Sequence, residues 1–386
     1  MKSKHQLILV LLAIAVLILL PALANYLIDP YHMYGSKSRE LINLKRNDQY
    51  QVAGLIRSYL AEEDLGFDCV IMGNSHGQNF SPAQIEEVLD TGRVLKLTMA
   101  GSWPKRQWIV MERALQEPGL KRVIWLIDGY YTSAVDSEAI NQPLAFPADL
   151  YQSDLGINTY IFNADVFLQS LRDLGLFPMG NSPQGDDYGT WYAGDEWWDE
   201  LVSQFHETIR DDDEYAYHQS SLESQSGNLP SSIEALYAEY PVQASPSIDR
   251  LASLAKANPD VKFDFLIGPY PAAHYIACDR AKLASLFAMR RYAVKVFDGL
   301  PNVQLHAFDT DEEIVTDLKR YKDVTHYDPD VNRYMIESIP GSMRVLNAQT
   351  IDDYENEWFS LLQRYQSHCI QNGPLSEFKA QDNFED

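Results

Sequence analysis

Five short, apolar, β-branched runs, at residues 69–72, 94–98, 123–127, 263–267 and 303–308, alternate with stretches of helical spacing, and this alternation constrains the fold more than any other feature. The helical stretches are residues 82–89, 104–116, 248–257 and 281–296, with another at 51–62 ahead of the first run. Two of them open on proline, Pro82 and Pro104, which is tolerated in a first helical turn. Strands that alternate with helices imply a parallel sheet with helices on both faces. The expected fold class is therefore α/β, a three-layer α/β/α sandwich around a five-stranded parallel sheet, flavodoxin-like in kind.

Residues 132–245, between the third and fourth runs, are far longer than one crossover helix requires and are expected to form an insertion or cap. This stretch holds a predicted helix at 164–174, a Gly, Asp and aromatic-rich section at 179–198, the acidic run 211–214 and a polar section at 220–232. Beyond the fifth run, residues 351–365 have the spacing of a closing amphipathic helix. The chain thus divides into 1–26 (anchor or signal), 27–65 (linker and leading helix), 66–131 with 246–370 (core), 132–245 (insertion) and 371–386, an acidic tail expected to be disordered.

The N-terminus reads Met1-Lys2-Ser3-Lys4-His5, then runs uncharged and apolar through residues 7–24. That length just spans a bilayer as a helix, with Lys2 and Lys4 left in the cytoplasm and the chain after Tyr26 outside. Residues 7–20 followed by Pro21-Ala22-Leu23-Ala24 also fit a cleaved signal peptide. The anchor is the preferred reading, and both deliver the same domain to the same compartment. A net charge of -24 opposes nucleic acid or an anionic membrane surface as partner, and serves solubility. Of three cysteines, Cys69 falls inside a predicted strand, while Cys278 and Cys369 could pair in an oxidising periplasm. No cysteine or histidine spacing of the zinc type occurs, so no metal is expected.

Gly73-Asn74-Ser75-His76 directly follows the first run, and Asp323-Val324-Thr325-His326 follows the fifth. A serine at the exit of a buried strand holds its hydroxyl at the carboxyl edge of the sheet, where parallel folds bind ligands. An Asp three residues before a His can orient that imidazole from the same loop. Gly73-x-Ser75-x-Gly77 also fits the nucleophile elbow of α/β-hydrolases, but those lay down several strands before the elbow. Ser75 could instead be an ordinary helix cap.

With the nucleophile first and Asp-x-x-His last, the chain resembles the SGNH/GDSL hydrolase superfamily. The resemblance implies Ser75 as nucleophile, His326 as general base and then acid, and Asp323 as the group that holds the imidazole tautomer. It also implies an oxyanion hole built from the Ser75 amide, a glycine after the second strand and an asparagine after the third. Gly101, in Ala100-Gly101-Ser102, matches the second; at the third the chain reads Asp128-Gly129-Tyr130-Tyr131, an acceptor where a donor is wanted. Asn74 and His274 are further pocket candidates. The N-terminal helix followed by Ile28-Asp29-Pro30-Tyr31, together with Pro269-Tyr270, is similar to anchored SGNH-like proteins of bacterial envelopes, some of which move or remove acyl groups on exported polysaccharides.

The resemblance therefore implies an esterase or O-acyltransferase on the periplasmic side of the inner membrane, needing no cofactor. Its substrate would be an acylated carbohydrate, acetylated above all, or another small ester, and its partner the envelope polysaccharide machinery. The alternative is a catalytically weak protein of the same fold that binds glycan. Tyr188, Trp191, Tyr192, Trp197 and Trp198 could form a platform for sugar rings. They serve equally as a small satellite core for a segment poor in aliphatics, and that reading is preferred.

Overall fold

The structure is a computed structural model, and it describes residues 2–34, 48–61, 67–131, 146–152, 156–177, 190–211 and 229–378. Tyr188, most of the acidic run at 211–214 and most of the polar section at 220–232 lie outside the described residues. In chain order the main elements are α1 (Lys2–Ile28), α2 (Asp48–Ala61), β1 (Cys69–Met72), α3 (Pro82–Leu89), β2 (Val94–Lys96), α4 (Pro104–Ala114) and β3 (Arg122–Ile127). Then come α5 (Gly156–Ile161), α6 (Ala164–Asp173), α7 (Asp195–Asp211), α8 (Pro246–Ala257), β4 (Lys262–Ile267), α9 (Ala272–Ala277), α10 (Arg280–Phe297), β5 (Val303–Ala307), α11 (Pro329–Ser338) and α12 (Ile351–Asn372).

The strands form one five-stranded sheet in the order β2-β1-β3-β4-β5, with every pairing parallel. The register aligns the strand starts: Cys69 faces both Val94 and Arg122, and Arg122 faces Lys262. All carboxyl ends therefore emerge along one edge. The chain moves outward from β1 to β2 and then returns past β1 to β3, so the strand order reverses at β1 and β3, where parallel sheets open a crevice.

Successive strand residues point to opposite faces, and here they fill two separate clusters. Val70, Met72, Val123, Trp125 and Phe265 belong to one. Cys69, Ile71, Ile124, Leu126 and Leu266 belong to the other, with Ile85 of α3 and Val331 and Met335 of α11. Helix ends follow local chemistry. Ser81 caps α3, Ser245 caps α8 and Asp328 caps α11, each ahead of a proline at the first turn. Since Ser81 caps α3, Ser75 is not its cap.

A charged cluster is buried just past β5. Asp309, fully buried, accepts from Nε and Nη2 of Arg290 at 3.0 and 2.9 Å, from the Tyr354 hydroxyl at 2.6 Å and from the Tyr275 hydroxyl. The Arg290 guanidinium lies 4.4 Å over the Trp358 ring. This cluster ties α9, α10 and α12 to the β5 exit.

Two expectations change. Cys278 and Cys369 are both free thiols, although α9 and α12 pack together. Burial pushes the Cys278 thiol up to about 11 and those of Cys69 and Cys369 up to about 12. The last helix also runs past residue 365 to Asn372, because Gln366 and Cys369 continue its buried stripe until Gly373 turns the chain at φ +85°. Phe378 then packs back on Tyr365 and His368 at 5.6 and 5.2 Å, so the stretch expected to be a disordered tail is folded through Phe378. Residues 379–386 lie outside the described residues.

α1 is long and apolar enough to cross a membrane or to act as a signal sequence. Its last turns are docked rather than loose. The Asn25 side chain is fully buried, donating to the carbonyls of Ile161 and Asn163 at 2.8 and 3.0 Å and accepting from Ser170 Oγ at 3.1 Å. Asp29, at φ +47°, accepts from the backbone of Met33 and Tyr34 and from the Tyr160 hydroxyl.

Candidate active site

The carboxyl end of β1 leads into a single 3₁₀ turn, Ser75–Gly77. Asn74 caps it, its Oδ1 accepting from the His76 N–H at 3.1 Å. From Cys69 to Phe80 every residue is buried except Ser75. Tight packing makes this possible. A Cβ on Gly73 would come within 3.1 Å of Leu126, and one on Gly77 within 3.1 Å of Thr98, so glycine lets the turn sit down on β2 and β3.

Asp323 and His326 arrive on a tight hairpin beyond β5, pinned by an antiparallel bridge between Tyr321 and Tyr327. Both tyrosines are buried, and the Tyr321 hydroxyl donates to Pro269 O at 3.3 Å. On this hairpin Asp323 Oδ1 accepts from the backbone N–H groups of Thr325 and His326, both at 2.9 Å. Its Oδ2 lies 2.8 Å from His326 Nδ1, and His326 Nε2 lies 2.8 Å from Ser75 Oγ. With Nδ1–H donating to the carboxylate, Nε2 is the ring's acceptor for the serine proton.

The electrostatics suit that role. Burial alone would raise the Asp323 carboxyl, but the hydrogen bond and charge of His326 and the two backbone donors outweigh it and hold it well below the usual carboxylate range. Burial lowers His326 below its ordinary 6.5; the Asp323 bond opposes this, and the adjacent His76 pushes it down again. The His76 and His326 rings are 4.5 Å apart. The imidazole is thus neutral at pH 7 and able to accept a proton.

The expected oxyanion donors fall out differently. Gly101 sits at an exposed turn with φ +59°, and that turn is tied to the serine segment through Met99 N–H, which donates to Gly73 O at 3.0 Å. Asn74 and Asp128, both expected in the pocket, are bonded to each other: the Asn74 amide donates to Asp128 Oδ2. Asp128 therefore takes a supporting role, holding the cap of the serine turn, and the Asn74 amide is spent on it. His274 packs on Tyr270 at 5.0 Å, while Tyr270 is the ring beside His76 at 5.6 Å, so Tyr270 stands nearer the site than His274 does.

Trp191 is the largest departure from expectation. Its Nε1 donates to Ser75 O at 2.8 Å, and its ring meets His326 edge-on at 5.7 Å. Lys322 Nζ lies 4.5 Å over the same ring. Trp198 is buried and stacks on Trp191 at 6.1 Å, whereas Trp197 and Tyr192 remain partly exposed. The aromatic run is thus a satellite core at Trp198 and a wall of the site at Trp191.

Lys96 escaped the sequence reading altogether. It is buried on β2, and its ammonium donates to Gln78 O at 2.9 Å, Phe80 O at 3.2 Å and Thr190 Oγ1 at 3.1 Å. It thereby joins the segment after the serine turn to the segment that carries Trp191. A lysine inside an otherwise apolar strand was the available signal.

Among the described residues no group of three His, Cys, Asp or Glu side chains could hold a metal ion. The fold and the site together define a class: a parallel α/β protein carrying a hydrogen-bonded Ser-His-Asp chain at the carboxyl edge of its sheet. Compared with known proteins, the chain matches no protein-family model and no curated protein.

Proposed function

We propose that this chain is an SGNH-type serine esterase or O-acyltransferase that acts on acyl esters, acetyl above all, of an exported glycan. In this reading the two clusters flanking the sheet belong to a three-layer α/β/α sandwich, and residues 132–245 are an insertion that caps the site. α1 anchors the domain at the periplasmic face of a bacterial inner membrane. The observation that carries the reading is the continuous chain from Ser75 Oγ through His326 to Asp323, each link 2.8 Å long.

The chemistry follows from that chain. Ser75 Oγ attacks the ester carbonyl carbon as Nε2 of His326 takes its proton. The tetrahedral intermediate collapses to acyl-Ser75, and the leaving alkoxide takes the proton back from His326. Water or a sugar hydroxyl, deprotonated by the same nitrogen, then releases the acyl group. Lys322 and Trp198 occupy the Trp191 ring, which leaves the partly exposed Trp197 and Tyr192 to pack against the apolar C–H faces of a sugar.

One observation favours a second reading, a glycan-binding protein of the same fold with little catalytic power. Asp128 stands where an oxyanion donor is wanted, and it also engages the Asn74 amide. A fluorophosphonate probe separates the two, because it reacts only with an activated serine. The enzyme reading expects covalent labelling of the full-length protein and turnover of p-nitrophenyl acetate. Ser75→Ala should lose both and keep the same thermal transition. A folded wild-type protein inert to probe and ester alike supports the binding reading instead.

A further inference from the structure

Among the described residues outside α1, large exposed apolar side chains concentrate in one place. Phe162, Leu168, Leu174, Leu176 and Phe177, on α6 and the turns at its two ends, are 37–70% exposed. Elsewhere among the described residues such side chains occur singly, at Val242, Val324, Met343 and Ile370. Large apolar side chains left in water forgo burial, so a group of five marks a surface with an occupant.

Its position identifies the occupant. α6 packs along α1, turning Val166, Gln169 and Ser170 inward, with Ser170 bonded to Asn25. On the facing side of α1, Ala22 and Asn25 are buried, while Leu23, Tyr26 and Leu27 beside them stay exposed. The uncovered apolar surface of α1 therefore continues onto α6. Arg172 places its guanidinium 5.7 Å from the Phe177 ring, as an interfacial helix does when its cationic stem lies on apolar surface and its head reaches the lipid headgroups.

We infer that residues 162–177 form a second, non-spanning membrane contact that dips into the lipid interface beside α1 and fixes the orientation of the domain on the bilayer. The inference rests on α1 being a membrane anchor. The exposed apolar side chains of such a contact lie about 5–10 Å into the boundary between headgroups and acyl chains. Because the polar bonds of Asn25 and Asp29 lock α1 to the domain, the two contacts act as one rigid unit.

Site-specific quenching in phosphatidylcholine vesicles tests this on the full-length protein. An environment-sensitive NBD label is placed at Leu176→Cys, at Leu12→Cys within α1, or at Lys256→Cys on an exposed turn of α8. The unsubstituted protein is the blank, since burial keeps its three thiols protonated at neutral pH. The label at Leu176→Cys should shift to the blue and lose emission to lipids carrying a shallow doxyl group. The Leu12→Cys label should also be quenched and the Lys256→Cys label should not.

Quenching at Leu12→Cys without quenching at Leu176→Cys overturns the second contact and leaves the anchor standing. Absence of quenching at both overturns the anchor reading itself. A Leu176→Cys label that is shielded but unquenched, with shielding that weakens on dilution, assigns the face to a second copy of the chain and also overturns the inference. A second variant isolates the side chains. Leu176→Asp with Phe177→Asp, labelled at Leu174→Cys, should abolish quenching there and leave the thermal transition unchanged; persistent quenching counts against the inference.

Discussion

His326 must be uncharged to act as a base, and the groups around it decide at what pH that holds. Burial and His76 lower its pKa below 6.5, and the Asp323 bond limits the fall. Above that pKa Nε2 can take the Ser75 proton; below it the ring is already protonated and turnover stops. The acidic limb of kcat/KM for a small ester should therefore fall below pH 6.5, read directly from a pH–rate profile. Asp323 stays ionised across that range, since its own pKa is held well below the carboxylate norm, so a single ionisation should shape the limb. Asp323→Asn should retain the fold and cost about 10⁴ in kcat, because the amide favours the wrong imidazole tautomer. Unchanged kcat in that variant would remove Asp323 from the mechanism.

Elements carry two further expectations. The β5 exit is held by the buried Asp309 cluster, where one carboxylate serves Arg290 and two tyrosine hydroxyls. Asp309→Ala leaves the guanidinium buried without its counter-charge and should cost about 3–5 kcal/mol, measured as a fall in the urea midpoint. At the site, Trp191 closes over Ser75 through its indole bond and its edge contact with His326. Trp191→Ala should cost about 1–3 kcal/mol of stability. It should also speed fluorophosphonate labelling of Ser75, by uncovering the serine. Slower labelling would mean that the indole positions the nucleophile rather than screens it.

For the whole molecule, the junction between α1 and the domain decides whether the signal is kept. A cut after Ala24 would separate Ala22 from Asn25, two neighbours on one buried face, and put a new terminal ammonium at a fully buried residue. The intact mass of the protein in the membrane fraction should therefore include residues 1–24. A soluble species that begins at Asn25 would show that the docked helix is expendable.

Much of this was legible in the chain itself, because it is encoded locally. Buried parallel strands read as short apolar runs, and four of the five begin and end within a residue of where the runs do, β2 alone closing two residues early. Pro82 and Pro104 mark real helix starts because the fixed φ of proline suits a first helical turn, a matter of adjacent residues. The Asp323–His326 pair is local too, three positions apart on one hairpin. What lay beyond the sequence depends on contacts between distant segments. Ser75 and His326 are 251 positions apart, Trp191 meets Ser75 across 116, and Asn25 meets Ser170 across 145. No composition or spacing rule says that the Asn74 amide turns to Asp128, that Cys278 and Cys369 stay apart, or that a lysine on β2 braces the wall of the site. Local pattern determined the elements and the candidate nucleophile and base. Only the packing of the sheet brought them within hydrogen-bonding distance, because such a bond depends on separation in space and not along the chain.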